Sequence, residues 1–133
     1  MASPRTPFFL EANGVRFAYL EEGQGPLVLL VHGFPDTAHG WDAVRPAIAA
    51  AGYRVVSPFT RGYAPSAIPA DGAYDTETLG RDVLALIDAF GENRAIVVGH
   101  DWGASAAYAA ATLAPDRVSL LVTVAIPHPA SLR

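Results

Sequence analysis

The chain has 133 residues, of which 51% are hydrophobic and 17% charged, with a formal net charge of −4 at pH 7. That length suits one domain with a buried core, and the composition excludes a disordered segment. Its basic residues are all arginines, spread singly, so no basic stripe exists to meet nucleic acid, and the absence of cysteine excludes disulfides and thiolate metal sites.

The opening Met1-Ala2-Ser3-Pro4-Arg5-Thr6-Pro7 lacks the apolar segment of a signal peptide. The longest apolar runs are strand-sized, well under the ~20 residues of a membrane helix. The expectation is a cytoplasmic protein that touches neither membrane nor nucleic acid.

Phe8 to Glu11 and Val15 to Leu20 read as a hairpin around the turn pair Asn13-Gly14. Leu27 to Val31 is continuously apolar, as in a strand covered on both faces. Gly23 and Gly25 lack the helix and third glycine of a nucleotide loop and read as a turn. After a loop at 32–40, a helix is predicted over Trp41 to Ala51, with Trp41, Val44 and Ile48 on one face and a stop at Gly52. Tyr53 to Ser57 is the next strand, and Pro58 to Gly72 a loop rich in proline and glycine. Asp75 is the predicted N-cap of a helix reaching Phe90, in which Leu79, Val83, Leu86 and Phe90 share a face. Arg94 to Val98 is a strand, Trp102 to Leu113 an alanine-rich helix stopped by Pro115, and Val118 to Ile126 the last strand. Strands alternating with helices imply right-handed crossovers and a mostly parallel sheet with helices on both faces.

Gly99-His100-Asp101-Trp102-Gly103 lies between the strand at 94–98 and the helix at 102–113. A tight turn there, flanked by small residues, lifts one side chain into a cleft. Aspartate at the apex attacks alkyl carbon, where serine would attack acyl carbon. Aspartate also tolerates left-handed backbone better than most residues. The alternative for Asp101 alone is a helix N-cap. His32-Gly33-Phe34-Pro35 follows the central strand, where the backbone N–H groups of Phe34 and Trp102 could converge on one oxygen.

Together with Arg61-Gly62-Tyr63-Ala64-Pro65-Ser66, these motifs resemble the α/β-hydrolase fold, and within it the epoxide hydrolases. The resemblance runs from Phe8 onward. It implies that Asp101 is a nucleophile forming an alkyl ester, that the N–H groups of Phe34 and Trp102 make the oxyanion hole, and that Gly99 and Gly103 let strand and helix close around the elbow. The implied substrate cleft is walled by His32, Gly33, Pro35, His100 and Trp102, and the substrate is a small hydrophobic epoxide. No cofactor and no metal are implied. Haloalkane dehalogenases share the Asp-Trp elbow but usually carry a polar residue where Phe34 stands; fluoroacetate dehalogenases usually place arginine after the nucleophile. Phe34 beside Trp102 therefore favours an epoxide, with a haloalkane as the same-fold alternative.

His100 adjoins the nucleophile with its side chain expected to point away, and His32 is expected to stabilise its own loop. His39 and His128 read as loop or surface residues, and no His-x-x-x-His spacing suggests a metal. In the family the acid, the base and a helical cap follow the sixth strand. After Asp101 the acidic residue is Asp116 and the histidine is His128, neither at the family's positions. The expectation is a single domain over 1–133, an α/β-hydrolase core truncated after its sixth strand, without cap or C-terminal core. Efficient turnover by such a chain is not expected; Asp101 would be alkylated once and stall. Alternatively the chain is a non-catalytic or split module, pairing through the apolar edge at 118–126 with another chain.

Overall fold

A computed structural model describes residues 6–127. The first two strands, β1 (Phe8–Ala12) and β2 (Val15–Glu22), form the expected hairpin. Asn13 and Gly14 both take positive φ, 48° and 75°, as a two-residue turn between right-twisted strands requires. The central strand β3 (Leu27–Val31) is buried at every residue. Leu27, Leu29 and Val31 enter the core on one face of the sheet, Val28 and Leu30 that on the other.

The single helix expected over Trp41 to Ala51 is two shorter pieces, a 3-10 turn at Ala38–Trp41 and α1 (Arg45–Ala50). Pro46 explains the break. In the first turn of α1 its missing N–H is harmless, whereas in a longer helix its ring would collide with the carbonyl of Asp42. Trp41 and Ile48 still pack on the sheet, but Val44, on neither piece, is exposed. After β4 (Arg54–Pro58) a loop leads to α2 (Thr76–Ala89). The Asp75 carboxylate caps α2, accepting from the Thr78 N–H at 3.1 Å, and Val83, Leu86 and Phe90 are buried as predicted. The remaining elements are β5 (Ala95–His100), α3 (Trp102–Leu113), a 3-10 turn at Pro115–Arg117 and β6 (Val118–Val124). Ala125, at φ 70°, ends β6 two residues before the expected Ile126.

The sheet order is β1-β2-β4-β3-β5-β6, with β1, β2 and β4 paired antiparallel and β4, β3, β5 and β6 parallel. One face is covered by α2 and α3, where Val83, Leu86, Ile87, Ala106 and Ala107 meet Leu29, Val31, Val56 and Val97. The other carries α1 and the first 3-10 turn. The connections leaving β3 and β5 thus run to opposite faces, and the carboxyl ends of these neighbouring strands open a crevice between them. At the edge, Leu120, Val122 and Val124 of β6 are 55%, 40% and 47% exposed on the α1 face. Among the described residues no helix is long and apolar enough to cross a membrane.

The loop between β4 and α2 is held by buried polar ties. Arg61, only 2% exposed, donates from Nε and Nη2 to Asp82 on α2 at 2.6 and 2.8 Å, and from Nη1 to the Ala73 carbonyl at 2.9 Å. Asn13 of the hairpin turn also donates to Asp82, at 2.8 Å. The Ser66 hydroxyl accepts from the Ala18 N–H at 2.8 Å and donates to the Phe59 carbonyl at 2.6 Å. Removing one member of a buried ion pair strands the other charge. Arg61→Met should therefore lower the unfolding free energy by about 3–5 kcal/mol in urea titration, and Arg61→Met with Asp82→Leu should recover much of that loss. A single variant as stable as the parent would contradict this.

Candidate active site

The crevice is built by two chain segments, the turn after β5 and the loop after β3. At the apex of the first, Asp101 has φ 56° and ψ −121°. This is not the left-handed helical basin anticipated for aspartate, in which ψ is positive. It is a conformation that residues with a Cβ avoid, at a cost of about 1–3 kcal/mol. Its surroundings hold it there. The Asp101 N–H donates to the Val124 carbonyl at 3.1 Å, and its own carbonyl accepts from Ala104 and Ser105 at 2.9 and 3.3 Å, which starts α3. The side chain makes no capping bond, so the N-cap alternative fails.

Neighbouring glycines let the backbones meet. A Cβ on Gly99 would stand 2.3 Å from the Gly103 oxygen, one on Gly103 2.0 Å from the Val31 oxygen, and one on Gly33 2.4 Å from the Asp101 Cβ. With that approach, Asp101 Oδ2 accepts a hydrogen bond from the Phe34 N–H at 3.2 Å. Trp102 is the first residue of α3, so its N–H has no carbonyl of a preceding turn to meet. The Phe34 and Trp102 side chains are 66% and 54% exposed.

His32 is a strut. It is 2% exposed; its Nε2 accepts from the Thr60 N–H at 3.0 Å, and its Nδ1 lies 3.0 Å from the Gly33 carbonyl. An amide N–H can only donate, so Nε2 carries the lone pair and Nδ1 the proton. Burial pushes the imidazole pKa below its ordinary value, which keeps the ring neutral. The ring meets Tyr63 edge-on at 4.8 Å. Burial, with the nearby Asp101 charge, raises the Tyr63 pKa.

A cavity of about 240 Å³ opens against Gly33, Phe34, Trp102 and Gly103, the neighbours of Asp101, which does not itself line it. It is lined by His32, Gly33, Phe34, Tyr63, Trp102 and Gly103 from the turns and the loop after β4, and by Phe17, Val31, Leu79, Val83, Leu86 and Ala106 from the sheet and helices. Pro35 and His100, expected in the cleft, do not line it. The turn closed by the Asp36 N–H on the Gly33 carbonyl at 2.9 Å carries Pro35. Strand alternation puts His100 on the α1 face, in a second cavity of about 220 Å³ with Asp36, Gly40, Trp41 and Val124. The Trp41 indole N–H is buried without an acceptor among the described residues. His39 pairs with Asp42 at 3.0 Å in the 3-10 turn, and His128 lies outside the described residues. Among the described residues no three His, Cys, Asp or Glu side chains cluster as metal ligands. Thr60 and Tyr74, also on the cavity wall, were not singled out by the sequence, and Tyr63 only as part of the loop motif.

A doubly covered sheet whose inner strand ends in a strained turn, with a carboxylate at the apex facing a backbone N–H, defines a hydrolase-type core. The family model for the alpha/beta hydrolase fold matches residues 26–132, and the chain belongs to that family. It is 43% identical over 120 residues to an epoxide hydrolase of Caballeronia sordidicola, covering 89% of this chain and 36% of that protein. It is 42% identical over 130 residues to epoxide hydrolase A of Mycobacterium tuberculosis, covering 96% and 40%. The crystal structure of epoxide hydrolase A from Mycobacterium thermoresistibile superimposes with a TM-score of 0.87 at 42% identity, covering 92% of this chain and 39% of that one. The chain therefore spans about two fifths of the length of these relatives.

The His32 environment gives a pH signature. The unfolded chain protonates this imidazole around pH 6.5 while the folded protein keeps it neutral, so below that pH the unfolded state binds more protons. Stability should fall as pH drops from 6.5 toward 5, and His32→Gln should remove that slope while lowering stability overall. Urea titrations across this range check it; an unchanged slope in His32→Gln would contradict it.

Proposed function

We propose that Asp101 is the nucleophile of an epoxide-opening hydrolase. The observation that carries this reading is a carboxylate raised on a strained elbow, relieved of capping duty by its own backbone carbonyl and facing the Phe34 N–H. Because Oδ2 already accepts that N–H, Oδ1 is the attacking atom. It displaces the ring oxygen from an epoxide carbon in line, leaving an alkyl ester on Asp101 and an alkoxide that takes up a proton. Oδ2 becomes the ester carbonyl oxygen without moving. When water attacks that carbonyl carbon, the oxyanion develops against the N–H groups of Phe34 and Trp102, where losing one such donor typically costs ~10²–10³-fold in rate.

An acid for the alkoxide and a base for the water are also needed. His32 supplies neither, since its lone pair is engaged by Thr60 and its proton by Gly33. His100 faces the other side of the sheet. Phe34, which offers no side-chain donor to a departing halide, and the epoxide hydrolases among the relatives favour an epoxide over a haloalkane. We read residues 1–133 as one domain in the cytoplasm, in keeping with a chain free of cysteine. We read the open edge of β6, with exposed Leu120, Val122 and Val124, as the place where further polypeptide pairs.

Intact-mass spectrometry after incubation with 1,2-epoxypropane tests the nucleophile. One epoxide should add to Asp101, and the adduct should vanish in Asp101→Asn. Folded protein that stays unmodified, or carries the adduct on another residue, would contradict the assignment. Chloride release from 1-chlorobutane with a butyl ester left on Asp101 would favour the haloalkane reading instead.

A further inference from the structure

We infer that the open edge of β6 pairs antiparallel with the same edge of a second copy of this chain, about a two-fold axis at Val122. Such a dimer rests on the reading of that edge as a place where polypeptide pairs, and it is independent of the role of Asp101.

The backbone decides which groups are offered. β6 is the last strand of the sheet, with β5 on one side only. The Val124 carbonyl accepts from the Asp101 N–H on the β5 side. Peptide groups alternate along a strand, so those of Leu120 and Val122 also turn toward β5, and those of Leu121 and Thr123 face the open edge. The regular run is short. At its start the register slips, Ala95 pairing with Val118 and Ile96 with Leu120, so Ser119 is an extra residue. Val118 and Leu121 accordingly pack on the same face of the sheet. At its end Ala125 takes φ 70°. What is left is Leu120 to Val124, and Val122 is its centre.

A two-fold axis at Val122 uses the whole of that run. Leu121 then stands opposite Thr123 of the other copy, and the two residues exchange both of their N–H···O=C bonds. On the α1 face Val122 meets its own counterpart and Leu120 meets Val124, all of them exposed in the single chain. Moving the axis spoils the match. Centred on Leu121, Thr123 would face the bulged Ser119; centred on Thr123, Leu121 would face Ala125 at φ 70°.

The chemistry of the edge selects the partner. From Val118 to Ile126 there is no Asp, Glu, Lys, Arg or Pro, the residues that keep exposed edges apart. A charged partner strand would find no opposite charge there. A second copy brings an apolar side chain to each apolar one, because a two-fold interface presents the same patch from both sides. Contact along one short strand is at the small end of specific interfaces, so the dimer should be reversible.

Sedimentation equilibrium over a concentration series should show monomer and dimer with no larger species. The Leu121 and Thr123 amides should gain protection from hydrogen exchange as the dimer forms. Val122→Lys and Val122→Glu each set like charges opposite one another and should weaken the dimer at least tenfold; mixed, they should form a heterodimer. The chain has no cysteine, so introduced cysteines report the register. Val122→Cys should form an interchain disulfide on mild oxidation, because its two Cα atoms would stand about 4.5 Å apart. Leu120→Cys and Val124→Cys, each about 13 Å from its own counterpart, should cross-link poorly alone and readily when mixed. If either charged variant fails to fold, the cysteine variants decide. A monomer at every concentration would overturn the second copy and leave the edge to another chain. A dimer whose Leu121 and Thr123 amides exchange as freely as in the monomer would overturn the pairing and the reading of the edge together. Larger polymers, or cross-linking of Leu120→Cys alone without that of Val122→Cys, would overturn the two-fold axis.

Discussion

Gly103 lies so close to the end of β3 that a methyl group there would stand 2.0 Å from the Val31 carbonyl oxygen. The same is true of Gly99 against Gly103, and of Gly33 against Asp101. Three places without side chains thus let two strand ends and a helix start occupy one small volume. Were any of them filled, α3 would ride higher on the sheet and the Phe34 N–H would lose its 3.2 Å contact with Asp101 Oδ2. Close packing of backbones sets the site, and the side chains then exploit it.

Sheet topology supplies the location for that contact. The chain leaves β3 toward α1 on one face and β5 toward α3 on the other, so neither connection covers the crevice between them. The loop after β4 closes the third side, fixed by Arg61 on Asp82 and by Thr60 on His32. A neutral buried histidine and a buried ion pair are both polar structures whose hydrogen bonds are satisfied, and such groups resist rearrangement because breaking one bond leaves a partner stranded. The cavity therefore has rigid polar walls on the side of this loop and apolar walls from the sheet and helices.

Much of this was legible in the residues themselves. The period-two and continuous apolar runs located all six strands within two residues at each end, and Asp75 marked the start of α2. The turn around Asp101 was placed by its glycines, because close approach needs them and few other roles explain glycine on both sides of one residue. Three things were not legible. The effect of Pro46 on the helix before it depended on a single ring against a single carbonyl. The side chain of His100 points away from Asp101 as expected, but its removal from the cleft wall altogether depended on strand register, which ran further along β5 than the apolar residues indicated. The unusual ψ of Asp101, and the share of the site held by Thr60, Tyr63 and Asp82, come from contacts between segments far apart in sequence.

The site depends on packing that forces Asp101 into a backbone conformation it would not choose. Comparing Asp101→Gly with Asp101→Ala by urea unfolding tests this most directly, since both lose the carboxylate and only glycine relaxes at φ 56°. Glycine normally costs about 0.5–1 kcal/mol relative to alanine in regular structure. Here the glycine variant should be the more stable of the two, by about 1 kcal/mol. A glycine variant less stable than the alanine variant would mean the elbow is unstrained, and would contradict the account.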